Sequence, residues 1–130
     1  MIILYIEDDA VNRQVMRDML NVAGAEMVEA GDAETGLRII DQTDLDVVLV
    51  DLRMAGVDGL SAIRAVRRRL DGKSTLPLIV VTADTSPNLR DECVAAGADD
   101  LLLKPVAMRE LFDVIGRVIA ARASSDLFDL

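Results

Sequence analysis

Four apolar, strand-like runs in this chain each stop abruptly at residues whose side chains can do chemistry. Ile2-Ile3-Leu4-Tyr5-Ile6 ends at Glu7-Asp8-Asp9, and Asp46-Val47-Val48-Leu49-Val50 ends at Asp51. Leu78-Ile79-Val80-Val81 ends at Thr82, and Leu101-Leu102-Leu103 ends at Lys104-Pro105. In an open parallel sheet such chain ends meet in one crevice outside the carboxyl edge of the strands. Carboxylates, a hydroxyl and an ammonium would gather there, a set suited to divalent-metal binding and phosphoryl chemistry.

The elements that must position these groups follow from hydrophobic periodicity. Val11, Val15, Met16, Met19 and Leu20 mark one face of a first helix, capped by the preceding acidic residues and closed near Gly24. Residues 25–30 form a shorter, weaker strand suited to a sheet edge, and Gly31-Asp32 turns into a helix carrying Leu37, Ile39 and Ile40. After the Asp51 strand, Ala55 to Gly59 is a loop, and Leu60, Ile63, Val66 and Leu70 define a third helix. Asp71 to Pro77 leads to the fourth strand. Ser86-Pro87 serves as N-cap and first residue of a fourth helix, which Gly97 ends. Leu111, Val114, Ile115, Val118 and Ile119 mark the last helix. Strict alternation of five strands and five helices is the pattern of βα units, with right-handed crossovers placing helices on both faces of a parallel sheet. One domain over residues 1–122 is expected, followed by a tail at 123–130 where periodicity stops.

Composition narrows the function classes. A chain of 130 residues, 52% hydrophobic, supports one core and is too short for two ordinary domains. Fourteen basic against 23 acidic residues give a formal charge of −9, which argues against a nucleic-acid backbone as partner, and 2% aromatic residues offer little for bases to stack on. No apolar run approaches the roughly 20 residues that span a bilayer. Met1 leads straight into the first strand without a signal region, so a cytoplasmic setting is the default. With no histidine and one cysteine, the commonest general base, transition-metal ligand and disulfide are excluded. Oxygen ligands remain, and they favour magnesium, manganese or calcium.

Each feature has a plainer reading. Glu7-Asp8-Asp9 fits helix capping as well as a metal site, and Asp51 alone could be a polar strand end. Together the carboxylates repel one another in a low-dielectric cleft by several kcal/mol, and a bound cation relieves that repulsion. Thr82 is ordinary for a strand end. A solvated surface lysine is the plain reading of Lys104, yet as the close of an apolar strand it aims its ammonium along the sheet edge toward the carboxylates. Cys93 lies at helical spacing with Leu89 and Ala96, as a buried apolar side chain would. Arg67-Arg68-Arg69 reads as a solvated helix face, with a docking patch for an acidic partner as the alternative.

Glu7-Asp8, Asp51, Thr82-Ala83 and Lys104-Pro105, with Met54 and Asp58-Gly59 after the central aspartate, resemble the receiver domain of two-component response regulators over residues 2–121. The resemblance implies a flavodoxin-like (βα)5 three-layer sandwich with a five-stranded parallel sheet in the order 2-1-3-4-5. It implies Asp51 as phosphoacceptor and nucleophile. Mg2+, or Mn2+ in its place, would be bound by Asp8 and Asp51 directly, by Glu7 through water and by the backbone carbonyl of Arg53. Thr82 would bond a phosphoryl oxygen, and Lys104 would pair with the phosphate or, before phosphorylation, with Asp51. The donor would be a phosphohistidine on a histidine kinase or histidine phosphotransfer protein. The face formed by the fourth helix, fifth strand and fifth helix would meet a downstream protein.

The chain departs from the family pattern at three places. Leu101 stands where receivers usually carry the Tyr or Phe that couples to the threonine, Ala55 where a Pro commonly follows Met54, and Val106 where Phe is frequent. Phosphorylation competence with an atypical readout is therefore expected, from a regulator without a DNA-binding output domain that acts through protein contact. A stand-alone regulator is expected slightly ahead of a hybrid-kinase fragment. Arg53 and Asp84, each two residues beyond a key position, are expected to pair across the pocket mouth and slow water attack on the acyl phosphate. Two other classes compete. A magnesium-dependent phosphatase with an aspartyl nucleophile needs a second aspartate where Arg53 stands, and a phosphorylation-independent interaction module would leave the acceptor unused.

Overall fold

The computed structural model describes residues 1–53 and 58–128, with side chains through residue 123. Strands β1 (Ile2–Ile6), β2 (Glu26–Ala30), β3 (Val47–Asp51), β4 (Leu78–Thr82) and β5 (Asp100–Leu103) alternate with helices α1 (Ala10–Val22), α2 (Ala33–Gln42), α3 (Gly59–Arg67), α4 (Leu89–Ala96) and α5 (Met108–Phe128). A 3-10 turn, Gly72–Thr75, precedes β4. All pairings are parallel and the strand order is β2-β1-β3-β4-β5, the expected flavodoxin-like arrangement.

The unbroken apolar runs resolve into two alternating faces, because successive strand side chains point to opposite sides. Leu4, Ile6, Val48, Val50, Leu78, Val80 and Leu101 join a cluster with residues of α2, α3 and α4. Ile3, Tyr5, Val47, Leu49, Ile79, Val81 and Leu102 join one with residues of α1 and α5. β3 and β4 are buried throughout, as strands covered on both sides must be. β2 is only partly buried and lies at the edge. Register aligns the four chemical strand ends. Ile6 lies beside Val50, Asp51 beside Val81, and Thr82 beside Leu103, with the Lys104 amide donating to the Thr82 carbonyl at 2.8 Å.

Several helix boundaries differ from the sequence expectation. The Ser86 hydroxyl donates to Asp84 Oδ1, so it is not a cap; α4 starts at Leu89 behind Asn88, without a side-chain capping bond. Pro105 precedes α5, which starts at Met108, and the Lys104–Pro105 peptide is cis. α3 ends at Arg67, so Leu70 lies beyond it and is fully exposed. Of the apolar face assigned to α1, Met16 and Leu20 are buried and Met19 partly so, whereas Val11 and Val15 are exposed. They belong to the helix's opening turns. α5 continues as helix beyond residue 122, past the end of its apolar periodicity. Of the loop assigned to Ala55–Gly59, residues 54–57, including Met54 and Ala55, lie outside the described residues; Asp58 caps α3 by accepting from the Ser61 amide, and Gly59 is its first residue.

The arginine run is not one solvated face. Arg67 is only 17% exposed, donating to the carbonyls of Gly97 (2.8 Å), Ser74 (2.8 Å) and Leu76 (2.7 Å) and pairing with Asp99 at 3.0 Å. Arg69 pairs with Asp41 and Asp71, and Arg68 alone is exposed. Periodicity could not separate them, because a guanidinium that fills its donors with carbonyls reads in sequence like one that fills them with water. Gly97 closes α4 at φ +115°, and a Cβ there would meet the Arg67 side chain at 2.5 Å. Replacing Arg67 by Met should lower unfolding free energy by about 3 kcal/mol, since three carbonyls and a partly buried carboxylate lose their donor. Arg68→Ala should move it by less than about 0.5 kcal/mol. Urea titration of both variants checks this, and equal effects would refute the distinction.

Candidate functional site

The site is assembled at the carboxyl ends of β1, β3, β4 and β5. Gly59 sits so close to β3 that a Cβ would lie 2.5 Å from the Asp51 carbonyl oxygen, which lets the start of α3 pack against the Asp51 backbone. Asp51 is 5% exposed. Its Oδ1 accepts from the Arg53 amide at 3.1 Å and its Oδ2 from Lys104 Nζ at 3.2 Å.

Glu7 is more enclosed than the capping reading allows, at 1% exposed. Its Oε2 accepts from Lys104 Nζ at 2.9 Å and from the Tyr5 hydroxyl at 3.1 Å, and its Oε1 from the Asp9 amide at 3.2 Å. Arg13 donates to its backbone carbonyl at 2.7 Å. Capping falls to Asp9 instead, whose carboxylate accepts from the amides of Val11 and Asn12. The acidic triplet thus divides its labour. Asp9 serves the helix, while Glu7 and Asp8 offer carboxylate oxygens that, with one from Asp51, all lie within 4.8 Å of one another. Three carboxylates against the single Lys104 ammonium leave two negative charges in excess, a donor set that fits one hard divalent cation with oxygen ligands.

Electrostatics separate the two buried carboxyls. Burial, and then the hydrogen bond shared with Glu7, push Asp51 up to about 6. Burial would raise Glu7 too, but the hydrogen bonds from Asp51, Lys104 and the Asp9 amide outweigh it and hold Glu7 well below the usual range. As pH falls, the first proton to bind the pair therefore goes to Asp51. Burial pulls Lys104 down, yet its contacts with Glu7 and Asp51 leave it raised overall, so its charge is secure. Burial and the neighbouring Glu7 raise the Tyr5 phenol far above its ordinary value, keeping it a neutral donor.

Thr82 is wholly buried and its hydroxyl oxygen accepts from the Asp84 amide at 3.1 Å. Arg53 and Asp84 pair at 2.6 Å, as expected. Hydrogen bonds from Ser86 and then from Arg53 hold Asp84 well below its ordinary value. Leu101 is 9% exposed and shares the apolar cluster of Leu89 and Cys93 on α4, and Cys93 is buried as expected. Sequence reasoning missed Tyr5. The available signal was its place two residues before Glu7, since residues i and i+2 of a strand share a face.

A parallel doubly wound sheet with a carboxylate cluster at its switch point, faced by a lysine and a threonine from neighbouring strands, defines a signalling-module class of α/β protein. The chain belongs to the response regulator receiver domain family, whose model matches residues 3–116. It is 34% identical to the sensor histidine kinase AruS of Pseudomonas aeruginosa over 117 residues, 89% of this chain and 12% of that protein. It is likewise 34% identical to the sensory/regulatory protein RpfC of Xanthomonas campestris over 113 residues, 86% of this chain and 16% of that one. The chain thus spans only a small part of these relatives. Among solved structures it resembles the receiver domain of the sensor histidine kinase PA1611 from P. aeruginosa, which carries magnesium in its active-site cleft, at 32% identity and TM-score 0.83, covering 92% of this chain and 97% of that one. It also resembles the chemotaxis protein CheY4 of Vibrio cholerae at 29% identity and TM-score 0.82, covering 90% and 97%. It is a receiver domain of two-component signalling. Among the described residues no helix is long and apolar enough to cross a membrane.

The raised Asp51 carboxyl has a consequence for stability. Its folded value lies above its unfolded one, so its charge destabilises the fold at pH 7, and the cost falls away as pH drops through about 6 and the proton binds. Metal-free Asp51→Asn should therefore melt several degrees above the parent at pH 7, and the gap should narrow by pH 5. Thermal unfolding in chelator reads both, and equal midpoints at pH 7 would overturn the assignment.

Proposed function

We propose that Asp51 accepts a phosphoryl group from a phosphohistidine of a histidine kinase or histidine phosphotransfer protein. The carrying observation is the buried Asp51 carboxylate held 3.2 Å from Lys104 within the Glu7-Asp8-Asp51 cluster. An Asp51 oxygen forms the new O–P bond while the donor P–N bond breaks and its electron pair returns to the imidazole. Asp51 needs no general base, because with its carboxyl near 6 it is mostly ionised at pH 7. A loose phosphoryl transition state asks chiefly for in-line placement and charge neutralisation. Lys104 supplies fixed positive charge, and Thr82 supplies a hydroxyl donor once it turns to a phosphoryl oxygen. Asp8 and Asp51 would hold Mg2+ directly, with Glu7 through water and the Arg53 carbonyl completing the protein's share, and the ion would neutralise charge on the transferring group.

The module is regulatory rather than an enzyme acting on external substrates. Arg53 stands where an aspartyl phosphatase keeps its acid and base, and a guanidinium has no proton to exchange at neutral pH. A cytoplasmic setting, with neither nucleic acid nor membrane as partner, agrees with the acidic charge. Residues 1–122 form the functional unit, beyond which the last helix continues to Phe128. The readout passes from Thr82 to α4, β5 and α5, where Val94, Leu103 and Met108 are exposed for a downstream protein. Leu101 is already packed inward beside the α4 residues, so the switch lies in how β4 and α4 move rather than in an aromatic rotamer. A groove lined by Asn12, Val15, Met19, Lys104, Pro105 and Val106 opens beside the acceptor and suits the phosphohistidine-bearing element.

Incubation with Mg2+ and acetyl phosphate should add one phosphoryl mass to the intact protein, and Asp51→Asn or chelator should abolish it. Binding of a partner that is indifferent to Asp51→Asn would instead favour the phosphorylation-independent module. The Arg53–Asp84 pair screens the acyl phosphate from water. Arg53→Ala and Asp84→Ala should each lose the phosphoryl group several-fold faster after the donor is removed, and unchanged decay in both would dismiss the screen.

A further inference from the structure

We propose that Tyr5 is a positioning residue, whose hydroxyl holds Glu7 in place so that Lys104 can leave Glu7 for the phosphoryl group on Asp51. The proposal rests on the phosphoacceptor reading and concerns a residue which that reading leaves without a role.

Tyr5 lies mid-strand in β1, 1% exposed, among the apolar residues that face α1 and α5. A phenol in such surroundings needs a partner, and it has one: its hydroxyl donates to Glu7 Oε2 at 3.1 Å. Lys104 Nζ contacts that same oxygen at 2.9 Å and reaches Asp51 Oδ2 at 3.2 Å. One carboxylate oxygen thus has two donors, only one of which is mobile. Tyr5 is fixed by the sheet, whereas Lys104 bridges two acceptors on a flexible stem.

This arrangement decides what charge transfer to Asp51 costs. When an Asp51 oxygen bonds phosphorus and the donor's O–P or P–N bond breaks, negative charge on the phosphoryl oxygens draws the Lys104 ammonium toward them. Without Tyr5, Glu7 Oε2 would be left buried with no side-chain donor, an unfavourable state that would hold Lys104 back. With Tyr5, the oxygen keeps a neutral donor and the lysine is free to move. The Asp9 amide performs the same service for Oε1. Glu7 therefore stays oriented and satisfied throughout. Phenylalanine fills the same volume at this position but cannot do this.

The chain contains one tyrosine and no tryptophan, so tyrosine emission comes from Tyr5 alone and responds to its hydrogen bond. An excited phenol is a stronger acid and is quenched by a hydrogen-bonded carboxylate; withdrawal of Lys104 from Oε2 should tighten the Tyr5 bond and dim the emission. Emission should fall in step with the phosphoryl mass gain during incubation with Mg2+ and acetyl phosphate, in which acetate leaves with the electron pair of the broken O–P bond. It should also be low in metal-free Lys104→Ala, whether or not that variant or the parent is phosphorylated. In Tyr5→Phe, phosphorylation at saturating Mg2+ should slow about tenfold, the size of one hydrogen bond to a charged group. Its Mg2+ dissociation constant by calorimetry should shift less than about twofold, because the Asp8 and Asp51 oxygens and Glu7 Oε1 are untouched. Emission in Lys104→Ala equal to the parent's, or a Tyr5→Phe rate equal to the parent's, would overturn the role. Failure of the parent to gain mass would strike the phosphoacceptor reading instead, leaving the Lys104→Ala emission to decide on Tyr5.

Discussion

The Lys104 ammonium, bridging the buried carboxylates of Glu7 and Asp51, is the contact on which the site depends. Two carboxylates in a closed crevice repel each other, and an isolated ammonium there would lose its hydration without return. Each arrangement alone is unfavourable, and together they form a poised set that a second cation or a phosphoryl group can reorganise. The pairing also explains the unequal fate of the two acids. Glu7, fed by Lys104, Tyr5 and the Asp9 amide, keeps its charge, while Asp51, with the Arg53 amide and a longer lysine contact, is the first of the two to take a proton as pH falls. The acid with more hydrogen-bond donors is the scaffold and the less satisfied one is the reactive group.

The fold is what makes this contact available, since Glu7 and Lys104 are 97 residues apart in the chain. The strand order sets β1 and β3 side by side at the switch point, and β4 carries Thr82 between Asp51 and the β5 end. Apolar burial on both faces locks this register, because a slip of one residue would exchange the faces of every strand side chain. The apolar runs thus do more than build a core: they fix the height at which each polar strand end emerges.

The α/β class and the four chemical strand ends were legible in the sequence because they are written in long apolar runs and abrupt endings, whereas the strand order followed from the family resemblance. Asp51, Thr82, Lys104 and the Arg53–Asp84 pair could be found by position along strands. Features that depend on which of several equivalent side chains wins a partner could not. Asp9 rather than Glu7 caps α1, the Ser86 hydroxyl goes to Asp84 rather than to a helix amide, and Arg67 rather than Arg68 turns inward. Tyr5 was hidden because an aromatic in an apolar strand satisfies every rule for a core residue. Its hydroxyl acquires meaning only once Glu7 is seen to be buried.

The Arg67 side chain stitches the end of α3 to the chain entering β4 and to the carbonyl of Gly97, which closes α4. Asp99, just before β5, completes the stitch and also binds the Leu78 amide. α4 is therefore tethered at Gly97 while its opposite end begins at Asn88 without a capping side chain. A rod held more firmly at one end than at the other resists sliding more than swinging. A displacement arriving from the Thr82 and Asp84 side would meet α4 at its uncapped end, away from the Gly97 tether, where a push has the greatest leverage on the helix.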